Sequence, residues 1–196
     1  MWDERDDTEE YVYGTEPNDF LVSVTDRILG GGKVLSLGEG EGRNAAWLAG
    51  RGYRVTAVDL SSVGLRKAER LAVAQEARIE TVVADLAEYQ IQQGEWDGII
   101  SFFCHMPPDV RRKIFGQVFR GLKPGGVFIL EAFTPDQLQY DTGGPPTADL
   151  MMTAKGLKEE LKGLEFLRAV ELEREVREGV HHKGTAAVLQ VLGIRN

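Results

Sequence analysis

The chain has 196 residues, 42% of them hydrophobic, enough to enclose one sizeable core, and no break in composition divides it in two. Its 23 Lys and Arg against 31 Asp and Glu leave a formal charge of -8, which disfavours nucleic acid and anionic lipid as partners. Apolar runs such as "VFIL" at Val127–Leu130 fall far short of the roughly 20 residues a membrane helix needs.

A single cysteine, Cys104, permits no internal disulfide, and the acidic start "MWDERDDTEE" lacks the basic and then apolar pattern of a secretory leader, so a cytoplasmic protein is expected. Residues 1–10 read as a solvated, disordered tail, and residues 11–196 as one domain. From Asn18 to Leu29 apolar residues at Phe20, Leu21, Val24, Ile28 and Leu29 trace a helical stripe, entered through Pro17 and closed by Gly30-Gly31-Gly32.

Short β-rich runs and helical ones then alternate. The pattern predicts strand 33–37, helix 42–50, strand 53–58, helix 61–76, strand 79–84, strand 96–102, helix 108–121 and strand 126–132. Such alternation requires crossover units and a parallel sheet. Gly50 and Gly52 stop one helix, Ser61 caps the next, and "LKPGG" ends a third. After Phe133 the rhythm changes: a loop rich in Pro, Gly and Thr at 134–147 leads to a helix near 153–163. Two β-rich runs, "LEFLRAVELEREV" and "TAAVLQVLGI", follow without an intervening helix and pair as an antiparallel hairpin.

The stretch "KVLSLGEGEGRN" is a strand that breaks into glycines and opens a helix, which brings backbone N–H groups to the carboxyl edge of the sheet, where open α/β folds bind ligands. A dinucleotide fingerprint would need G-x-G-x-x-G; here the glycines are Gly38, Gly40 and Gly42, and Arg43 stands where the third belongs. Glu39 and Glu41 would repel a pyrophosphate, so a cationic ligand fits the loop better; both also read as solvated loop charges. Asp59 ends the second strand about twenty residues after the first glycine, where a carboxylate can bind both hydroxyls of a ribose. Ribose and positive charge together point to S-adenosylmethionine.

These residues resemble the class I S-adenosylmethionine-dependent methyltransferases over roughly residues 10–193. The resemblance lies in "VLSLGEGEGRN", "VTAVDLS", "VVADL", "WDGIISFF", "LKPGGVFILEAF" and the closing hairpin. Through "YGTEPNDFL" and "GEGEGRNAAWLAGRGYRVTAVDLS" the chain is similar to the small tellurite-resistance-type and thiopurine-type enzymes. The resemblance implies a Rossmann-like α/β fold: a mostly parallel seven-stranded sheet with a C-terminal antiparallel hairpin and helices on both faces. It also implies that Gly38, Gly40 and Gly42 approach the methionyl moiety, Asp59 the ribose and Leu60 the adenine, with Asp85 and Leu86 on the adenine side. Leu37, Glu39, Asn44, Ser61 and Phe102 complete the expected cofactor contacts, although Arg43 and Asn44 also read as residues that open the helix and brace the loop. The family usually carries an acidic residue two positions before the first glycine; this chain has Ser36, so an acidic contact to the ammonium comes from Glu39 or Glu41 or is absent.

On the acceptor side, His105 follows the fourth strand at the same edge and can take a proton near neutral pH. His105 and Tyr13 are the expected catalytic residues, while Cys104 reads as a small buried apolar residue. Residues 10–20, the loop 105–109 and "FTPDQLQYDTGGPP" are expected to wall the acceptor, with Tyr11, Tyr13, Phe20, Phe133 and Tyr140 forming an aromatic enclosure and residues 11–20 a lid. Trp47 and Trp96 read as core. His181-His182, adjacent in a turn and with no third ligand, makes no metal site. "SFFCHMPP" stands where amino-methylating enzymes of this superfamily place Asn-Pro-Pro-aromatic, and one cysteine is too few for arsenite chemistry. The expected function is methyl transfer to a small molecule, with sulfur, selenium or tellurium acceptors favoured by the resemblance. The alternatives are a catalytically silent S-adenosylmethionine-binding regulatory protein and an NAD-dependent oxidoreductase.

Overall fold

The structure, a computed structural model, describes residues 10–179 and 182–196. Residues 1–9 of the expected tail, and His181 of the histidine pair, lie outside the described residues. Seven strands form one sheet in the order β3-β2-β1-β4-β5-β7-β6. They span Lys33–Leu37 (β1), Arg54–Asp59 (β2), Glu80–Val83 (β3), Trp96–Phe102 (β4), Leu122–Phe133 (β5), Glu165–Glu178 (β6) and His182–Ile194 (β7). The first five run parallel, and β7 pairs antiparallel with both β5 and β6. The sheet is thus the mostly parallel, hairpin-closed one that the alternation predicts.

Strand order reverses between β1 and β4, which opens a crevice at their carboxyl ends. Side chains alternate across the strands. Leu35, Leu37, Ile99, Phe128 and Leu130 face one core with Ile114, Phe115 and Leu157; Val34, Ile100, Val127 and Ile129 face the other with Leu21, Leu48 and Leu65. Helices cover both faces: Asp19–Val24 (α1), Arg43–Gly50 (α2), Ser62–Ala74 (α3), Pro108–Phe115 (α4), Val118–Gly121 (α5) and Ala154–Glu160 (α6). Trp96 is core, whereas Trp47 is only half-buried, with Arg51 stacked 3.8 Å over its ring.

Three elements differ from the sequence expectation. The first helix ends at Val24 and continues as a 3-10 turn, Thr25–Arg27, because the Thr25 hydroxyl donates to the Leu21 carbonyl (2.5 Å) and competes with the helical ladder. The helix expected over 108–121 divides after Phe115, with Gly116 as its cap. β5 starts at Leu122, ahead of the proline-glycine punctuation, and its register against β4 shifts between Trp96 and Gly98 to absorb Pro124-Gly125-Gly126. Among the described residues no helix is long and apolar enough to cross a membrane.

Candidate functional site

The turn between β1 and α2 is built for close approach. Gly38 and Gly42 have φ of +68° and +94°, and a Cβ at either would overlap its neighbour, Cys104 Sγ at the first and Ala68 at the second. At Gly40 nothing lies within 4 Å of where a Cβ would stand, so the middle of the turn opens onto a cavity. This cavity, of about 710 Å³, occupies the crevice at the carboxyl ends of β1, β2 and β4. Its walls include the glycine turn, Asp59, Leu60, Asp85, Leu86, Phe102 and His105, and on the other side Tyr13, Met106, Pro145, Pro146 and Leu150.

The two glutamates of the turn have separate tasks. Glu39 Oε1 accepts from the backbone N–H groups of Asn44 (3.1 Å) and Ala45 (2.9 Å), so it caps α2, whose own cap residue, Gly42, has no side chain. Its second oxygen accepts from the Ser36 hydroxyl. A carboxylate therefore returns to the position beside Ser36 where the sequence lacks one. Glu41 is almost fully buried, pairs with the equally buried Lys67, and accepts from the Tyr13 N–H (3.2 Å). Its charge is neutralised inside the protein, so of the two only Glu39, itself mostly buried, keeps some exposure at the cavity.

Asp59 is clasped by backbone donors, with Oδ2 accepting from Gly40 N–H and Oδ1 from Ser61 N–H, each at 2.8 Å. This fixes the carboxylate at the mouth of the turn. Asp85 Oδ1 likewise accepts from Ala87 N–H (2.8 Å). Leu60 is 54% exposed beside Asp59, an apolar surface that a flat ring would cover. Burial, with the charge of Asp59 adding to it, pushes the Cys104 thiol up to about 12, so Cys104 is neutral at physiological pH and no nucleophile.

Of the expected contacts, Gly38, Glu39, Gly40, Gly42, Asn44, Asp59, Leu60, Asp85, Leu86 and Phe102 line the cavity, as do Tyr13 and His105. Leu37 and Ser61 do not: Leu37 is fully buried in the core, and the Ser61 hydroxyl accepts from Gly64 N–H (2.9 Å) to cap α3. Of the five expected wall aromatics only Tyr13 reaches the cavity. Tyr11 packs against Lys67, Phe20 is core, Phe133 lies behind His105 with the rings stacked at 5.4 Å, and Tyr140 bonds Glu173. Residues 11–20 line the cavity through Tyr13 and Gly14 and are tied down on both sides, by Tyr11 to the Lys67 carbonyl (3.1 Å) and by the buried Asn18.

Asn18 enters a buried polar network whose only sequence cue is a few isolated charges in apolar strands. Its amide donates to Glu131 and Glu178, each at 2.8 Å. Arg174 bonds both carboxylates, Gln190 donates to Glu131 (2.6 Å), and Arg43 donates to Glu178 (2.6 Å). Phe103, at the end of β4, holds a left-handed φ of 50° with its N–H on the Glu131 carbonyl (2.8 Å), so backbone strain sits at the cavity wall. Among the described residues no group of three or more His, Cys, Asp or Glu could hold a metal ion.

Residues 34–126 match the family described as a methyltransferase domain. A 107-residue stretch is 32% identical to phosphoethanolamine N-methyltransferase 2 of Caenorhabditis elegans, covering 53% of this chain and 24% of that protein, so this chain spans about a quarter of that relative's length. A solved structure described as the conversion of a disulfide bond into a thioacetal group during echinomycin biosynthesis covers 99% of this chain and 88% of its own, with a TM-score of 0.78 at 20% identity. TehB from Haemophilus influenzae gives a TM-score of 0.68 at 22% identity, over 91% of this chain and 62% of its own. At these identities the two structures speak to the fold.

Proposed function

We propose that this chain, whose residues 34–126 match a methyltransferase domain, is a class I S-adenosylmethionine-dependent methyltransferase that moves a methyl group from S-adenosylmethionine to a small-molecule acceptor. The observation that carries the reading is the make-up of the cavity, where the carboxylates of Glu39, Asp59 and Asp85 stand among apolar walls beside the glycine turn. Asp59 would hold the ribose, Leu60 and Leu86 the adenine faces, and Glu39 with Ser36 the methionyl ammonium. When bound, S-adenosylmethionine supplies a methyl group on a cationic sulfur, ready for in-line displacement. What the chain contributes is position and exclusion of water.

Acceptors of the thiol, selenium or tellurium kind are favoured. A soft anionic nucleophile needs little help from a base. For an acceptor with a proton to lose, His105 against Phe133 is the group to receive it, with Tyr13 also on the cavity wall. The lone cysteine suits a reducing, cytoplasmic setting. The test is a thermal-shift screen joined to an assay of S-adenosylhomocysteine release. S-adenosylhomocysteine at about a hundred times its Kd should stabilise the protein by about 2.7 kcal/mol, NAD should not, and thiols, selenite or tellurite should drive release. Stabilisation by NAD alone would return the oxidoreductase; binding without release on any acceptor would return the silent regulatory protein.

A pH dependence should accompany the cofactor. Burial raises the Glu39 carboxyl above its ordinary value, against the opposing pull of Ser36, the α2 N–H groups and Arg43. The folded protein therefore holds this proton in a range above the ordinary glutamate value where the unfolded chain has lost it. The stability contribution is complete below that range and is lost as pH rises through it. An ammonium beside Glu39 favours the ionised form, so the affinity for S-adenosylhomocysteine should rise with pH across this same range. Glu39→Gln should bind more weakly and with a flatter profile in calorimetry; an unchanged slope would remove Glu39 from the site.

A further inference from the structure

We propose that the segment 142–151 is the specificity-determining wall of the cavity, and that it selects an acceptor whose body is uncharged and apolar. Charge is divided unevenly around the cavity. Glu39, Glu41 and Arg43 stand on the glycine turn and the start of α2, and Asp59 and Asp85 at the ends of β2 and β3. The rest of the lining is Tyr13 and Gly14, residues 102–107 with Val110, and Gly144, Pro145, Pro146 and Leu150; none of these is an acidic residue, a lysine or an arginine. Arg43 is no counter-charge for a ligand there, since it is 7% exposed and donates to Glu178 at 2.6 Å. Pro145 and Pro146 also carry no N–H, so this stretch of backbone cannot solvate an anion with those groups. An oxyanion seated here would exchange water for apolar groups, which costs it free energy; an apolar body gains from the same exchange.

Two buried polar side chains fix this wall from behind. Gln137 is 1% exposed, its Nε2 donates to the Thr142 hydroxyl (2.9 Å) and the Gly143 carbonyl (3.0 Å), and its Oε1 accepts from Ala187 N–H on β7 (2.8 Å). The Thr142 hydroxyl donates in turn to the Thr185 carbonyl (2.8 Å). One end of the segment is thus bound to the sheet. Arg111 holds the other: its Nε donates to Glu160 on α6 (2.9 Å), and its Nη1 to the Met151 carbonyl (3.3 Å). Met151 and Met152 are buried, and Met152 N–H donates to the Phe133 carbonyl (2.9 Å). Between these anchors Pro145 and Leu150 line the cavity and keep part of their surface uncovered, as does Val110, the residue before Arg111 on α4. Apolar surface held open in this way is a seat for an apolar ligand.

This assignment rests on the function proposed above, and among the acceptors favoured there it singles out apolar thiols. The probes are the straight-chain thiols from ethanethiol to hexanethiol, 2-mercaptoethanesulfonate and sodium selenite, titrated calorimetrically into protein saturated with S-adenosylhomocysteine. Affinity should rise about four-fold with each methylene, as burial of a CH2 predicts. Mercaptoethanesulfonate and selenite should each bind about ten-fold more weakly than butanethiol, or worse. Leu150→Asp, checked for an unchanged fold by thermal melting, should flatten the thiol series and leave S-adenosylhomocysteine affinity as in wild type. Gln137→Met keeps the volume and removes the anchoring bonds. It should cut the gain to under about two-fold per methylene, again with S-adenosylhomocysteine unaffected, whereas a merely structural Gln137 would lower the melting temperature and leave the gain intact. If Gln137→Met does not fold, Leu150→Asp still decides. A flat series in wild type, either anion binding as tightly as butanethiol, or a slope that a folded variant keeps would overturn the inference. Failure of wild type to bind S-adenosylhomocysteine would instead sink the functional reading, and the same series on the free protein would then decide whether this wall takes apolar bodies.

Discussion

Glu131→Ala is expected to lower the stability of the fold by about 3–5 kcal/mol, measured by urea denaturation, because it breaks a buried ionic network from its centre. Glu131 sits on β5 with no solvent exposure, and it accepts from Asn18 (2.8 Å), Gln190 (2.6 Å) and the Arg174 guanidinium. Burial works to lower the Arg174 value, but its bonds to Glu131 and Glu178 outweigh that and hold it above the ordinary one, a sign of how strongly the cation relies on these carboxylates. Without Glu131 this cation keeps Glu178, which it shares with Asn18 and Arg43, the exposed Asp19 carboxylate at 3.8 Å and the Glu175 carbonyl at 3.0 Å. Glu131→Gln keeps the shape and removes the charge, so it should lose less. A loss under about 1 kcal/mol for the alanine variant would show that water or a side-chain shift replaces the carboxylate. The effect should reach the cavity as well, since the network links Asn18, at the end of the segment carrying Tyr13, to Arg43 on the far side of the glycine turn.

That network also marks the limit of what the sequence discloses. The sheet, its hairpin and the location of the site were legible because period-two and helical spacings, and the glycine-to-helix turn, are local signals that the burial of apolar faces then enforces. "KVLSL" and "WDGIISF" became neighbouring strands with alternating burial, and Asp59 came to the edge of the same crevice. What spacing could not disclose is partnership. Glu39 and Glu41 look alike in "GEGEG", yet one caps the helix five residues ahead and the other pairs with Lys67, on a helix twenty-six residues away. Asn18 meets Glu178 across 160 residues. The expected aromatic wall failed for a related reason: Phe20 and Phe133 are apolar enough to be claimed by the core, and only a loop tip such as Tyr13 is left for the cavity. Helix ends misled wherever a side chain competed with the backbone, as Thr25 does with the α1 ladder.

Asp59→Ala is expected to weaken S-adenosylhomocysteine binding by about ten- to a hundred-fold, since hydrogen bonds to a charged group contribute about 1.5–3 kcal/mol and each 1.4 kcal/mol is a factor of ten. Calorimetry checks this, and unchanged affinity in a folded variant would remove Asp59 from the site. The carboxylate has a second task that a simple truncation confounds, because it also holds the Gly40 and Ser61 N–H groups at 2.8 Å. Asp59→Asn does not separate the two tasks: an amide turns an N–H group toward one of those two backbone donors, so donor faces donor. The separation comes from the ligand. A carboxylate offers about four acceptor sites, more than the two backbone donors use, and a ribose hydroxyl would engage the remainder. The wild type should therefore prefer S-adenosylhomocysteine over its 2′-deoxy analogue by about ten-fold, the worth of one such bond. In Asp59→Ala that preference should vanish, whatever the loosened turn does to both affinities in common, because the coupling in the cycle isolates the pair. A preference that survives the substitution would assign the hydroxyl to another partner and leave Asp59 as the anchor of the glycine turn alone.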